Sequence, residues 1–296
     1  MAYIKTTPFT HDNSTLSMKG MQLALRTRSA HGFNVKSPIC IYKLCELNNV
    51  IVRFNDINME GMYDRSPKPR IHLSALRPHA RRAFTCAHEL GHHLFGHGST
   101  IDELQTSLNS PTTKHANEIL ADSFAAFTLM PTLGIKEAFS IRNINPKKAS
   151  AREIFSIACN FGVGQSTLVN HLAYTLNWIP KSHRDFLGKI TPKMIRTEIL
   201  GVSVSDPLTY IDSYSNASTF DIEKGGLVLL PHGVIADINM LEQQGENQYG
   251  KVFRSLKCGI TRVAIPGTTW ATFIRISPRN YTGLAKYRHL EEEYDE

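Results

Sequence analysis

The chain has 296 residues, 42% of them apolar and 20% charged, with a net charge of +7 and an isoelectric point near 9.1. That balance excludes a disordered or collagen-like chain and fits an ordinary globular protein. A basic surplus permits contact with nucleic acid without demonstrating it.

In chain order, residues 1–16 read as a loose leader rich in Thr, Asp and Asn, without the apolar stretch and cleavage site of a signal peptide. Apolar residues at helical spacing predict a helix over 18–30 and a second over 39–47, introduced by Ser37-Pro38. Residues 50–54 are β-branched and short, hence a strand; 61–63 are a candidate second strand and 70–75 a candidate edge strand. Pro78 suits the first turn of a helix running to about Gly96. A loop over 98–110 then leads to a helix capped by Ser110-Pro111 and ended at Met130-Pro131. Helices over 151–161 and 165–176 flank Gly162-Val163-Gly164. From about 190 onward, short β-type runs (226–230, 252–253, 261–265, 272–276) are broken by Gly, Pro and Asn, with Gly245-Glu246-Asn247 marking a loop and an acidic end over 291–296. No apolar run is long enough for a membrane span, and five scattered cysteines without a CxxC pair read as free thiols, so the expected compartment is the cytoplasm, with no membrane partner.

The chemistry sits in Ala87-His88-Glu89-Leu90-Gly91-His92, an HExxH motif. Residues four apart share a helix face, so His88 and His92 can present two imidazoles to one ion, and Glu89 beside them can act as general base on a zinc-bound water. Imidazole and carboxylate donors suit zinc, and a catalytic zinc has three protein ligands and one open position. A third histidine in the pattern HExxHxxGxxH would need Gly at 95 and His at 98; the chain has Phe95 and Gly98. The remaining candidate is Glu118, on the following helix, with Asp122 on the same face to accept the free N–H of His88 or His92. His93 points off the ligand face and is expected to be exposed, His97 to stabilise the helix end, and Cys86 to be a buried thiol. His115, Tyr63, His79 and Arg82 are candidates for stabilising an oxyanion, and the sequence does not choose among them.

The residues Arg82-Ala-Phe-Thr-Cys-Ala-His-Glu-Leu-Gly-His92, Glu118-Ile-Leu-Ala-Asp122-Ser-Phe-Ala-Ala126 and Leu129-Met130-Pro131 resemble the ImmA/IrrE family of bacterial and phage metallopeptidases, over roughly residues 18–180. Where the family typically carries Asn, this chain has Asp122. The resemblance implies one zinc ion on the two motif histidines and the downstream glutamate, with the motif glutamate as base. It also implies a protein substrate, usually a helix-turn-helix transcriptional repressor, cleaved to release phage, mobile-element or stress genes. The family often places a helix-turn-helix-like segment after the Met-Pro. Here that is residues 154–176, where Ala158, Gly162, Val163 and Leu168 suit such a turn; few basic residues there favour packing over DNA binding.

The expected fold is therefore α+β. A zincin-like, mainly helical metallopeptidase domain with a small sheet (17–140) is followed by a helical segment (141–185) and a β-rich C-terminal domain (190–296) that is sensory or substrate-recruiting. The expected activity is site-specific, zinc-dependent endopeptidase action on a regulatory protein. Two alternatives are a DNA-binding regulator with a structural or vestigial metal site, and a protease of a toxin–antitoxin or defence module.

Overall fold

The computed structural model describes residues 10–65, 67–99 and 111–290, with residues 10–12 and 111–115 described by backbone alone. The fold is α+β. Its N-terminal half comprises α1 (Thr10–Ala30), α2 (Ile41–Leu47), β1 (Ile51–Asn55), β2 (Gly61–Asp64), β3 (Arg70–Ser74), α3 (His79–Phe95), α4 (Pro111–Leu129) and α5 (Thr132–Ile141). The first helix begins at Thr10, inside the stretch expected to be a loose leader. Most of the expected loop 98–110 and the acidic end 291–296 lie outside the described residues.

β1 and β3 are parallel and adjacent, and β2 closes one edge antiparallel to β3. The expected edge strand, β3, is therefore interior. Its alternation had suggested one solvated face, and Ile71 and Leu73 are indeed buried beside Val52 and Phe54, in the core that also holds Leu44 and Leu90. What the alternation does not report is hydrogen bonding on both sides. The end of α1 is fixed by Arg28, whose fully buried guanidinium donates to the carbonyls of Thr128, Asn34 and Ser37.

Four helices follow: α6 (Ala151–Asn160), α7 (Gln165–Asn170, extended by a π-helical turn at His171–Thr175), α8 (Lys181–Gly188) and α9 (Pro192–Leu200). Ser150 and Glu153 form a reciprocal capping box at the start of α6. α8 and α9 occupy ground where the sequence suggested the start of a β-rich region. Each is short, so its apolar period is weak, although Thr191-Pro192 is a legible cap for α9.

Strands begin at β4 (Leu208–Tyr210), then β5 (Thr219–Glu223), β6 (Leu227–Leu230), β7 (Leu241–Asn247), β8 (Gly250–Ser255), β9 (Gly259–Ala264), β10 (Ala271–Ser277) and β11 (Gly283–Leu284). They form one sheet in the order β4-β6-β8-β7 and another in the order β5-β10-β9. Gly245-Glu246-Asn247, expected as a loop, belongs to β7. This is an exposed edge strand with a register shift between Gln243 and Gly245, so it lacks apolar alternation.

β6 is buried at every residue. Val228 and Leu230 join Phe220, Ile222, Phe253, Ile274 and Ile276 between the two sheets, whereas Leu227 and Leu229 join the core shared with the helices. Successive strand side chains alternate faces, so one strand serves two cores. Further links to the helical layer are polar: Asp212 accepts from both nitrogen ends of Arg142 (2.7 and 2.8 Å) and from Ser156, and Asn160 bonds to Asn216 and Ala217.

The outer face of β5 meets α2 and α3. Asp221 accepts from Arg275 and Arg288, whose guanidinium lies over the Tyr42 ring, and Glu223 pairs with the buried Arg82 of α3. Beyond β10 the chain returns to the first sheet, where β11 pairs antiparallel with β1. Among the described residues, no single helix is long and apolar enough to cross a membrane.

His171 is buried, with its ring edge-on to Phe127 at 5.2 Å. Burial holds its pKa down at about 4, below the ordinary 6.5. The unfolded chain thus binds this proton first as pH falls below 6.5, and stability is lost across the window from 6.5 down to about 4. Through this residue, unfolding free energy should fall by about 2 kcal/mol between pH 7 and pH 5. Urea unfolding at the two pH values should show a correspondingly smaller drop in His171→Phe than in the parent.

Candidate metal centre

The site stands on two stretches that pack together, the HExxH stretch of α3 and the ExxxD stretch of α4. Gly91 sets how near the two helices come. A Cβ placed there would sit 3.1 Å from Ala121 Cα and 3.2 Å from Phe124 Cδ1, so a larger residue would push α4 away. With that approach allowed, His88, His92 and Glu118 offer donor atoms that all lie within 4.8 Å of one another. His88 Nε2 is 2.9 Å from His92 Nε2, and the Glu118 oxygens lie 3.4 Å from His88 Nε2 and 3.6 Å from His92 Nε2.

Each imidazole is held by its other nitrogen. His88 Nδ1 donates to Asp122 Oδ1 at 2.8 Å. His92 Nδ1 is 2.9 Å from His97 Nδ1, and the left-handed cap at Gly96 turns His97 back to that position while its ring stacks on Phe95. The side-chain role of His97 is thus toward His92, although its N–H also donates to the His92 carbonyl as expected of a helix end. Both Nδ1 atoms are engaged, so two Nε2 atoms and a carboxylate converge, the donor set and arrangement that suit a divalent transition metal.

The charges agree with a cation site. Burial pulls the His88 pKa down, but hydrogen bonds to Asp122 and Glu118 outweigh it and raise it to about 10. Burial and then the neighbouring His88 charge hold His92 down at about 4. The two imidazoles are thus faced by two carboxylates, Asp122 and Glu118.

Glu89 is buried and, with His88, lines a cleft of about 1730 Å³. Gly61 of β2 lies beside it, since a Cβ there would be 3.3 Å from Glu89 Oε1 and would collide with Thr85. Gly61 read only as a strand residue in the sequence; its closeness to Glu89 depends on how β2 lies over α3.

Other expectations are redistributed. His93 is half-buried rather than exposed, with Nδ1 2.6 Å from the Tyr63 hydroxyl. Tyr63 is thereby committed to packing, and Arg82 to Glu223. His79 sits 3.8 Å from Glu223, kept neutral by burial that lowers its pKa to about 3. The side chain of His115 lies outside the described residues. Cys86 is a buried thiol, 3.5 Å from Cys45 Sγ, and burial pushes its pKa well up.

The family profile of the IrrE N-terminal-like domain, peptidase M78, matches residues 46–163. No curated protein matches the sequence. Among solved structures, a Mycobacterium tuberculosis transcriptional regulator is similar at 18% identity and a TM-score of 0.38, over 55% of this chain. The chain spans 51% of that structure's length.

The geometry generates a metal-binding expectation. The parent should bind one equivalent of a divalent ion such as zinc or cobalt in competition with a chromophoric chelator, and His92→Ala should lose it. Asp122→Ala and His97→Ala should each weaken affinity by about 10–100-fold while leaving the stoichiometry at one.

Proposed function

We propose that this chain, whose residues 46–163 match the IrrE N-terminal-like domain, is a zinc-dependent endopeptidase of the ImmA/IrrE kind that cuts a regulatory protein at a defined site. The observation that carries the reading is the convergence of His88 Nε2, His92 Nε2 and the Glu118 carboxylate beside Glu89, at the end of a large cleft. His88, His92 and Glu118 would hold the ion, which supplies Lewis acidity toward water and toward the scissile carbonyl.

The remaining work falls to residues of the chain. Glu89, buried and next in sequence to His88, takes a proton from the attacking water and delivers it to the leaving amine nitrogen. Asp122 and His97 fix the tautomers of His88 and His92, leaving each Nε2 free of its proton. Asp122 in place of the family's usual Asn adds a negative charge behind His88, which strengthens that imidazole as a donor. Burial of Glu89 and His92 limits bulk water at the reacting centre.

The substrate we favour is a helix-turn-helix repressor, as the family resemblance implies. DNA is the weaker candidate for residues 154–176, because few basic residues lie there and the buried Gln165 of α7 lines the cleft.

The test compares protein N-termini in cells expressing the parent or Glu89→Gln, at rest and after DNA damage. The expected result is a small set of new termini present only with the parent, with zinc retained in the variant. Matching profiles in both conditions would remove the peptidase reading.

A further inference from the structure

The cleft that begins at His88 and Glu89 does not end in the N-terminal half. It continues past α7, α8 and α9 to β5 of the C-terminal sandwich, so three parts of the chain form its walls. Its volume of about 1730 Å³ exceeds the ~300–1,000 Å³ usual for a small-molecule site. Phe33, Ile39, Phe84 and Ile190, each partly exposed, supply an apolar lining along this path.

A further observation indicates what fills it. Residues 181–196 hold five basic side chains, Lys181, Arg184, Lys189, Lys193 and Arg196, against one carboxylate, Asp185, which Arg184 already engages at 2.8 Å. Lys189 and Arg196 line the cleft itself.

Resting on the peptidase reading above, we propose that the cleft seats an extended polypeptide segment of mixed apolar and acidic residues, running from Glu89 to the basic α8–α9 end. The helical segment and the C-terminal sandwich then read the substrate on one side of the cut bond. Apolar side chains lie against Phe84 and Ile190. Carboxylates face Lys189 and Arg196. The C-terminal sandwich acts in selection by walling the cleft through β5, not by contributing to the chemistry.

The test is binding, measured on full-length Glu89→Gln protein so that hydrolysis is not required. The probes are two fluorescein-labelled pools of peptides about twelve residues long, one mixing Leu, Phe and Glu and the other Leu, Phe and Lys, with a labelled DNA duplex as a third. Fluorescence anisotropy should show the Glu pool bound at least about tenfold tighter than the Lys pool. Lys189→Glu, on the exposed surface, and Arg196→Glu should each remove about tenfold or more of that affinity. Lys148→Glu, outside the cleft, should leave it unchanged. Binding of neither pool, equal binding of both, or indifference to Lys189→Glu would overturn the proposal. So would salt-sensitive binding of the duplex alone, lost in Lys189→Glu, which would assign the basic end to nucleic acid. Glu-pool binding without any cleavage in cells would remove the peptidase reading and leave the cleft's preference standing; cleavage without a Glu preference would do the reverse.

Discussion

The close approach of α3 to α4 at Gly91 is the constraint on which the site depends. Two histidines one helical turn apart give only two donors, and the third must come from another element at a separation of a few ångströms. Ala121 and Phe124 occupy the space that a side chain at 91 would need, and Glu118, one turn earlier on α4, is thereby carried to within 3.6 Å of both Nε2 atoms. The packing that buries Leu90 and Phe124 in the core is the same packing that assembles the donor set.

The arrangement beyond the donors is layered. Asp122 and His97 approach the imidazoles from behind, one from α4 and one from the turn after α3, so each ring is oriented by a different element. Arg82, two turns before Glu89 on the same helix, is buried against Phe54 and paired with Glu223 of β5. Through Arg82, paired with Glu223, and through Arg288, which pairs with Asp221 and lies over the Tyr42 ring, the C-terminal sandwich is joined to α3 and α2. Buried pairs of this kind lose much of their Coulombic gain to desolvation, so their main effect is to fix orientation. The return of β11 to pair with β1 fastens the same junction by backbone hydrogen bonds. The sandwich is thus tied to the N-terminal half through the sheet that holds β5 and β10 and through the chain that follows β10, and one continuous cleft lies between them.

Much of the candidate site was legible from local pattern. HExxH on a helix and ExxxD on the next are periodic signals, and periodicity survives in sequence because a helix places residues four apart on one face. Free thiols and the α6–turn–α7 unit were readable for similar local reasons, the latter through Gly162-Val163-Gly164. Less could be read where a strand's character depends on its neighbours. β3 became interior because β1 and β2 flank it, and β7 was hidden because an exposed edge strand needs no apolar face. α8 and α9 are too short for a clear period.

By itself, the sequence determined that His88, Glu89 and His92 share one turn of helix, that Glu118 and Asp122 share another, and that the thiols have no local pairing pattern. It did not determine how far apart those two turns lie, which nitrogen of each histidine is free, or that His97 rather than a carboxylate stands behind His92. Nor did it reveal that Glu223 of β5 holds Arg82, 141 positions earlier in the chain, or that Lys189 and Arg196 line the cleft that opens at Glu89. Those relations join residues distant along the chain. Only the packing of a core, in which volume and buried charge must be satisfied together, decides which of them meet.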